Sequence, residues 1–303
     1  MNKKEIRASL LLLVCAFVWG STFVAQSSAA ERVPTFTFLA SRSFVGGGAL
    51  LLIALWQNRR KPGTHLPSFR QHLLAGVLCG SALFVASACQ QYGIALGTGA
   101  GKAGFLTALY LIFVPILELL LYRRSPGWIT VCGSMFALVG LFLLCGLSTS
   151  GLHLATGDLF TALCGLCFAF HILIVDRFAP QLDGIKLSCI QFLVCGLLSL
   201  LAALLLEETS FGVVTNAYGS ILYAGLFSSA LGYTLQIIGQ RDCPPTVATV
   251  LMSLESVFAL LSETVIALLH SEKLPISSTE LFGCLLMFVG VLLAQNPFRR
   301  ITK

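Results

Sequence analysis

The amino-acid sequence predicts an all-α integral membrane protein of ten transmembrane helices, arranged as two inverted five-helix repeats. Three observations predict it. The 303 residues are 56% hydrophobic and only 11% charged, against roughly 25% charged residues in a soluble domain. Apolar stretches long enough to cross a bilayer recur ten times along the chain, and the second half repeats the first.

A hydrocarbon core of roughly 30 Å needs about 20 mostly apolar residues per helix. The stretches cover residues 8–27, 34–56, 72–95, 100–121, 127–146, 158–175, 186–206, 217–239, 246–269 and 278–295. The first follows Lys3, Lys4 and Arg7 and precedes Ser27-Ser28-Ala29-Ala30, like a cleavable signal peptide. Polar Trp19-Gly20-Ser21-Thr22 interrupts the apolar core such a signal needs, so a membrane span is preferred. In the second, Gly46-Gly47-Gly48 permits close helix packing. Turn-forming separators punctuate the rest: Arg59-Arg60-Lys61-Pro62-Gly63, Arg123-Arg124-Ser125-Pro126, Asp242-Cys243-Pro244-Pro245 and Leu274-Pro275.

Placing the N-terminus inside collects Lys3, Lys4, Arg7, Arg59, Arg60, Lys61, Arg70, Arg123, Arg124, Arg177, Lys186, Arg241, Arg299, Arg300 and Lys303 on the cytoplasmic side. Arg32, Lys102 and Lys273 remain outside. That asymmetry predicts a multi-pass plasma-membrane protein with both termini cytoplasmic.

A shift of 149 positions superimposes the halves through the first two spans, Cys15 on Cys164, Trp19 on Phe168, Arg42 on Gln191 and Gly47 on Gly196. The third span keeps the offset, with Phe84 on Tyr233 and Gln91 on Gln240. In the fourth the offset becomes 145, pairing Tyr110 with Glu255, Phe113 with Phe258 and Glu118 with Glu263. Gly133 and Gly140 match Gly283 and Gly290 at 150. The expected domains are therefore residues 1–149 and 150–303. An odd number of spans per repeat inverts the second copy, an architecture suited to alternating access.

Several functions are excluded by what the chain lacks. The net charge of +6 sits in short clusters between apolar runs, with no basic face for nucleic acid. The eleven cysteines lie mostly inside apolar runs, where thiols act as small hydrophobes. Cys164 and Cys167 form a CxxC without the second ligand pair a metal requires, so no metal or cofactor is expected. Gly97-Thr98-Gly99-Ala100-Gly101-Lys102 falls short of a phosphate-binding loop, since Leu96 and Ala103 stand where that motif needs glycine and a hydroxyl residue. A proton or other ion gradient is then the expected energy source. A membrane enzyme should show clustered nucleophile, base or metal ligands, and a receptor or assembly component a soluble output domain; the sequence offers neither.

Ionisable groups inside spans are costly and mark candidate sites. Glu255, roughly 15 Å from the end of its helix at 1.5 Å per residue, is the best coupling candidate, suited to a proton or a substrate amine. Its repeat-mate Tyr110 should share a central cavity with it. Glu118 and Glu263 suit gates, helix-end caps or snorkelling to the interface, and Arg42 a gate or a structural ion pair. His171, the mate of Thr22, suits hydrogen-bonded packing or a relay. Trp19, Thr22, Gln26, Gln90, Tyr233 and Gln236 complete the expected lining around a small-molecule substrate.

The stretch Trp19-Gly20-Ser21-Thr22-Phe23-Val24-Ala25-Gln26 resembles the opening signature of EamA-type carriers in the drug/metabolite transporter superfamily. The similarity continues through Arg42, Gln91-Tyr92-Gly93, Lys102 to Tyr110, Val114-Pro115 and Glu272. Ser253-Leu254-Glu255-Ser256-Val257-Phe258 resembles the family's serine-leucine-glutamate-proline-valine stretch, with Ser256 where the proline stands; losing that proline is expected to straighten the ninth span. The resemblance spans the chain. It implies ten helices in two halves and a carrier that exports amino acids, other metabolites or toxic compounds.

Overall fold

The computed structural model describes residues 3–60, 69–98, 100–145, 155–208, 211–269 and 276–295. Lys61, Pro62, Gly63, Gly99, Glu272, Lys273, Leu274, Pro275, Arg299, Arg300, Lys303 and the expected boundary between residues 149 and 150 lie outside them. Among the described residues every regular element is helical: α1 (Lys3–Ala30), α2 (Thr35–Arg60), α3 (Phe69–Ala95), α4 (Ala100–Thr107), α5 (Tyr110–Tyr122) and α6 (Trp128–Leu144). After them come α7 (Thr156–Phe178), α8 (Gly184–Leu206), α9 (Phe211–Asn216), α10 (Tyr218–Tyr223), α11 (Tyr233–Gln240), α12 (Pro245–Met252), α13 (Glu255–Leu269) and α14 (Ser278–Ala294). Between α10 and α11, Ala224–Gly232 is wound as a π-helix, whose wider turn is seen where the amide of Tyr233 donates to Ser228 O, five residues back.

Taken together, these elements contain eight stretches long and apolar enough to cross a membrane, and α6 and α14 add two apolar helices of 17 residues each. The molecule is turned inside out relative to a soluble domain. Leu52, Leu204 and Leu269 are among the apolar side chains on its exterior, whereas Arg42, Gln191, Gln236 and Glu255 are buried.

Charged and polar side chains cap three of the helix starts, whose first amides have no partner within the helix. Glu207, just past α8, accepts from Phe36 N at 2.7 Å, Thr37 N at 2.8 Å and Thr37 Oγ1 at 2.8 Å, capping α2 from the other half of the chain. Asp183 caps α8 through Ile185 N and Lys186 N, and its own amide donates to His72 Nε2. Ser277 and Glu280 form a reciprocal capping box on α14.

Glycine contacts set the helix pairing. A Cβ on Gly133 would stand 2.6 Å from Gly290 O, and one on Gly140 2.5 Å from Gly283 O, so α6 and α14 pack backbone to backbone and run antiparallel. α2 and α8 also pair antiparallel, Gly47 lying against Leu193 and Gly196 against Phe44. In the glycine triplet, Gly46 packs against Ser229 and Gly47 against Leu193, while Gly48 faces open space, so close approach explains only two of the three. α3 packs on α7, and α1 packs on the π stretch and α11.

Two of the apolar stretches tighten locally, from four-residue to three-residue backbone hydrogen bonds, without leaving helical geometry. The chain turns at Ala108 and Leu109 between α4 and α5, and again at Ser253 and Leu254 between α12 and α13. In the ninth stretch the irregular turn lies just before Ser256, the residue that stands in place of the proline. There the winding tightens but stays helical, with Ser256 N bonding Ser253 O at 3.2 Å, the Ser253 hydroxyl bonding Val250 O at 2.8 Å, and Ser253 itself at φ −61°, ψ −17°.

Candidate functional site

Both tightened turns border one central cavity, which Thr107 and Tyr110 line beside the first and Met252 and Glu255 beside the second. Trp19, Phe23 and Gln26 reach the cavity from one face of α1, at the three- and four-residue spacing that aligns side chains on a helix. Arg42 enters from α2, Gln90 from α3, Phe168 and Ile172 from α7, Ser228 from the π stretch, and Tyr233 and Gln236 from α11. The cavity measures about 510 Å³ out to its mouth.

Polar groups in the wall are only partly satisfied. Tyr110 Oη donates to Glu255 Oε1 at 3.4 Å, Arg42 Nη1 to Gln26 Oε1 at 3.0 Å, and Gln90 Nε2 to Thr107 Oγ1 at 3.0 Å. The Trp19 indole lies 4.7 Å from the Tyr233 ring, tilted by 54°. Trp19 Nε1, Arg42 Nε and Gln236 Oε1 are buried without a hydrogen-bond partner. Orphan groups of this kind normally cost free energy unless something else meets them.

Four expected residues lie elsewhere. Thr22 is fully buried with its hydroxyl donating to Val18 O at 2.6 Å. His171 is also fully buried behind the wall, its Nε2 3.2 Å from Gln191 Oε1 and its ring edge-on to Tyr233, while its Nδ1 is buried without a hydrogen-bond partner. Glu263 is exposed on α13. Glu118 accepts from the Thr246 hydroxyl and borders a second cavity, together with Arg124, Asp176, Gln240 and Arg241. No ion pair involves Arg42 among the described residues; the amide of Gln26 and the Phe38 ring, 5.7 Å away, are its neighbours.

Phe23, Thr107, Phe168, Ile172, Ser228 and Met252 line the cavity without having been singled out in the sequence. A signal for most of them was present. Phe168 stands 149 positions after Trp19 and Ile172 149 after Phe23, while Met252 follows Thr107 by the 145 that separates Glu255 from Tyr110. Ser228 carried no such signal, since the π turn that presents it has no sequence mark.

Among the described residues no three of His, Cys, Asp and Glu gather where they could hold a metal. The cysteines are free, and Cys164 Sγ contacts Thr107 Oγ1 at 3.3 Å. Lys102, in the segment resembling a phosphate loop, instead pairs with Asp158 at 2.6 Å.

The profile of the EamA-like transporter family matches the chain twice, over residues 6–146 and 155–295. An uncharacterized transporter of Archaeoglobus fulgidus is 27% identical over 293 residues, covering 96% of this chain and 87% of its own. The uncharacterized transporter YwfM of Bacillus subtilis is 27% identical over 299 residues, covering 96% and 95%. A solved structure described only as the crystal structure of a protein superposes with a TM-score of 0.75 at 20% identity, over 95% of this chain and 98% of that one, and shares its fold. With apolar helices outside and a polar cavity within, the chain is a multi-pass membrane protein and a transporter, and it belongs to the EamA-like transporter family.

Proposed function

We propose that the protein is a secondary transporter that exports small metabolites, amino acids, amines or drug-like compounds, across the plasma membrane by alternating access. In this reading the chain crosses ten times as two inverted five-helix repeats, with both termini cytoplasmic, and the cargo leaves chemically unchanged. The observation that carries it is the central cavity, built at matching positions of both halves beside two locally tightened helices. The meeting of inverted repeats is where carriers place their substrates. The antiparallel pairing of α2 with α8 and of α6 with α14 also supports the inversion.

Glu255 serves as the coupling residue, facing the cavity from the start of α13. Glu118 serves as a closure, because its bond to Thr246 ties α5 to α12 beside the second cavity. Gln240 stands between the cavities, bordering the second while its amide donates to the carbonyl of Ile172, which borders the first. The energy source is a proton or other ion gradient.

Solute flux through purified protein in proteoliposomes tests the reading. Saturable flux of at least one metabolite is expected, with Glu255→Gln reducing it at least about tenfold, as losing a charged hydrogen-bonding group does. Absence of flux across a broad metabolite panel, from protein that remains folded, would sink the proposal.

A further inference from the structure

The CxxC of α7, Cys164 and Cys167, lacks a second pair of thiols along the sequence, but the fold brings one more thiol to it. α3 and α7 come from different halves of the chain and pack antiparallel, Gly93 lying against Gly157 and the Tyr92 ring 5.1 Å from that of Phe160. One turn along α3 from those contacts, Cys89 meets Cys167 in a side-chain hydrogen bond. Both cysteines are free and only partly buried. Cys164 is fully buried instead, with Thr107 Oγ1 3.3 Å from its sulfur.

The pair lies on the outside of the molecule. Val85 and Tyr92 flank Cys89 on its face of α3, and Leu163 and Phe170 flank Cys167 on its face of α7, at the three- and four-residue spacing that aligns side chains. All four are between 41% and 47% exposed, so the two thiols meet at the seam of two apolar, bilayer-facing surfaces. The next residue along each helix, Gln90 and Phe168, lines the central cavity.

From this contact we infer that Cys89 and Cys167 are a redox modification site, which a hydroperoxide dissolved in the surrounding bilayer converts to a disulfide joining the two halves. An apolar seam admits a lipid-soluble oxidant, and a neighbouring thiol diverts the first oxidation product into a disulfide. One sulfur attacks the peroxide, the O–O bond breaks, and an alcohol leaves with the first thiol's proton, so that sulfur becomes a sulfenic acid. The second sulfur then forms the Sγ–Sγ bond and displaces the hydroxyl, which departs as water with the second thiol's proton. Two electrons pass from the thiols to the peroxide, and a dithiol reductant reverses the change by exchange. The link fixes Gln90 beside Phe168, wall residues of different halves, and so arrests the movement that alternating access requires. That arrest rests on the carrier reading; the disulfide does not.

Treating the purified full chain in lipid nanodiscs with cumene hydroperoxide, followed by peptide mass mapping, tests the site. Loss of two of the eleven free thiols is expected, with a Cys89–Cys167 peptide pair that dithiothreitol dissolves. Cys89→Ser and Cys167→Ser should each abolish the link, and Cys164→Ser should keep it. Eleven thiols left intact, sulfinic acid at either cysteine in place of the link, or a link drawn to Cys164 overturns the inference. In proteoliposomes, oxidised wild type should lose most of its solute flux and regain it with dithiothreitol, while Cys89→Ser ignores both reagents. Undiminished flux from fully linked protein refutes the arrest. A link that forms in protein without flux in either redox state refutes the carrier reading and leaves the redox site.

Discussion

Glu207 lies just beyond α8, yet its carboxylate takes the first free amides of α2 and the hydroxyl of Thr37. Removing a helix cap costs about 0.5–2 kcal/mol, so Glu207→Ala should destabilise the purified protein by an amount in that range in chemical denaturation, while Glu207→Asp keeps part of the cap. Asp158 plays a similar part at the start of α7. It is almost fully buried and accepts from Lys102 Nζ, Thr98 Oγ1 at 3.1 Å and Ala155 N at 2.7 Å. Hydrogen bonds to a charged group contribute about 1.5–3 kcal/mol each, so Asp158→Asn should destabilise by a few kcal/mol in chemical denaturation, and more than Lys102→Met, whose side chain is 22% exposed.

Among the elements, α6 and α14 depend most directly on particular residue types. Each is too short to bury much, and glycine at 133, 140, 283 and 290 lets their backbones meet. Overpacking costs typically about 1–3 kcal/mol, so Gly140→Val should shift unfolding by at least that. Gly48→Ala, on a glycine with nothing within 4 Å, should change stability by less than about 0.5 kcal/mol. Helix positions were readable in the sequence because the bilayer demands long apolar runs, and each of the ten predicted stretches falls on helix. The tightened turns were not. Pro115 lies inside α5, well past the first at Ala108 and Leu109, and the second occurs without any proline at 256. Backbone turns buried in a polar cavity are decided by tertiary contacts, such as Gly20 lying against the carbonyl of Glu255, that no local window contains.

Over the whole molecule, the repeat arithmetic was the better guide to the site. Tyr110 and Glu255 were placed together by it, and the same offsets hold Phe168 and Met252. His171 and Thr22 are also mates at the 149 offset, yet burial against Gln191 and Val18 places them behind the wall, so the offset alone does not select the lining. The orientation of the chain calls for its own measurement. In a cysteine-free background, a cysteine at position 59 should resist an impermeant thiol reagent added outside intact cells, and one at position 32 should react; the reverse pattern would invert the topology.

The cavity's matching positions hold unlike side chains: Trp19 against Phe168, Phe23 against Ile172, Thr107 against Met252, and Tyr110 against Glu255. Its outline thus has two similar sides and its chemistry only one acidic end. A cargo molecule turned end for end would present its ends to partners that do not suit them. On the carrier reading proposed above, a solute therefore has one preferred way round in the cavity.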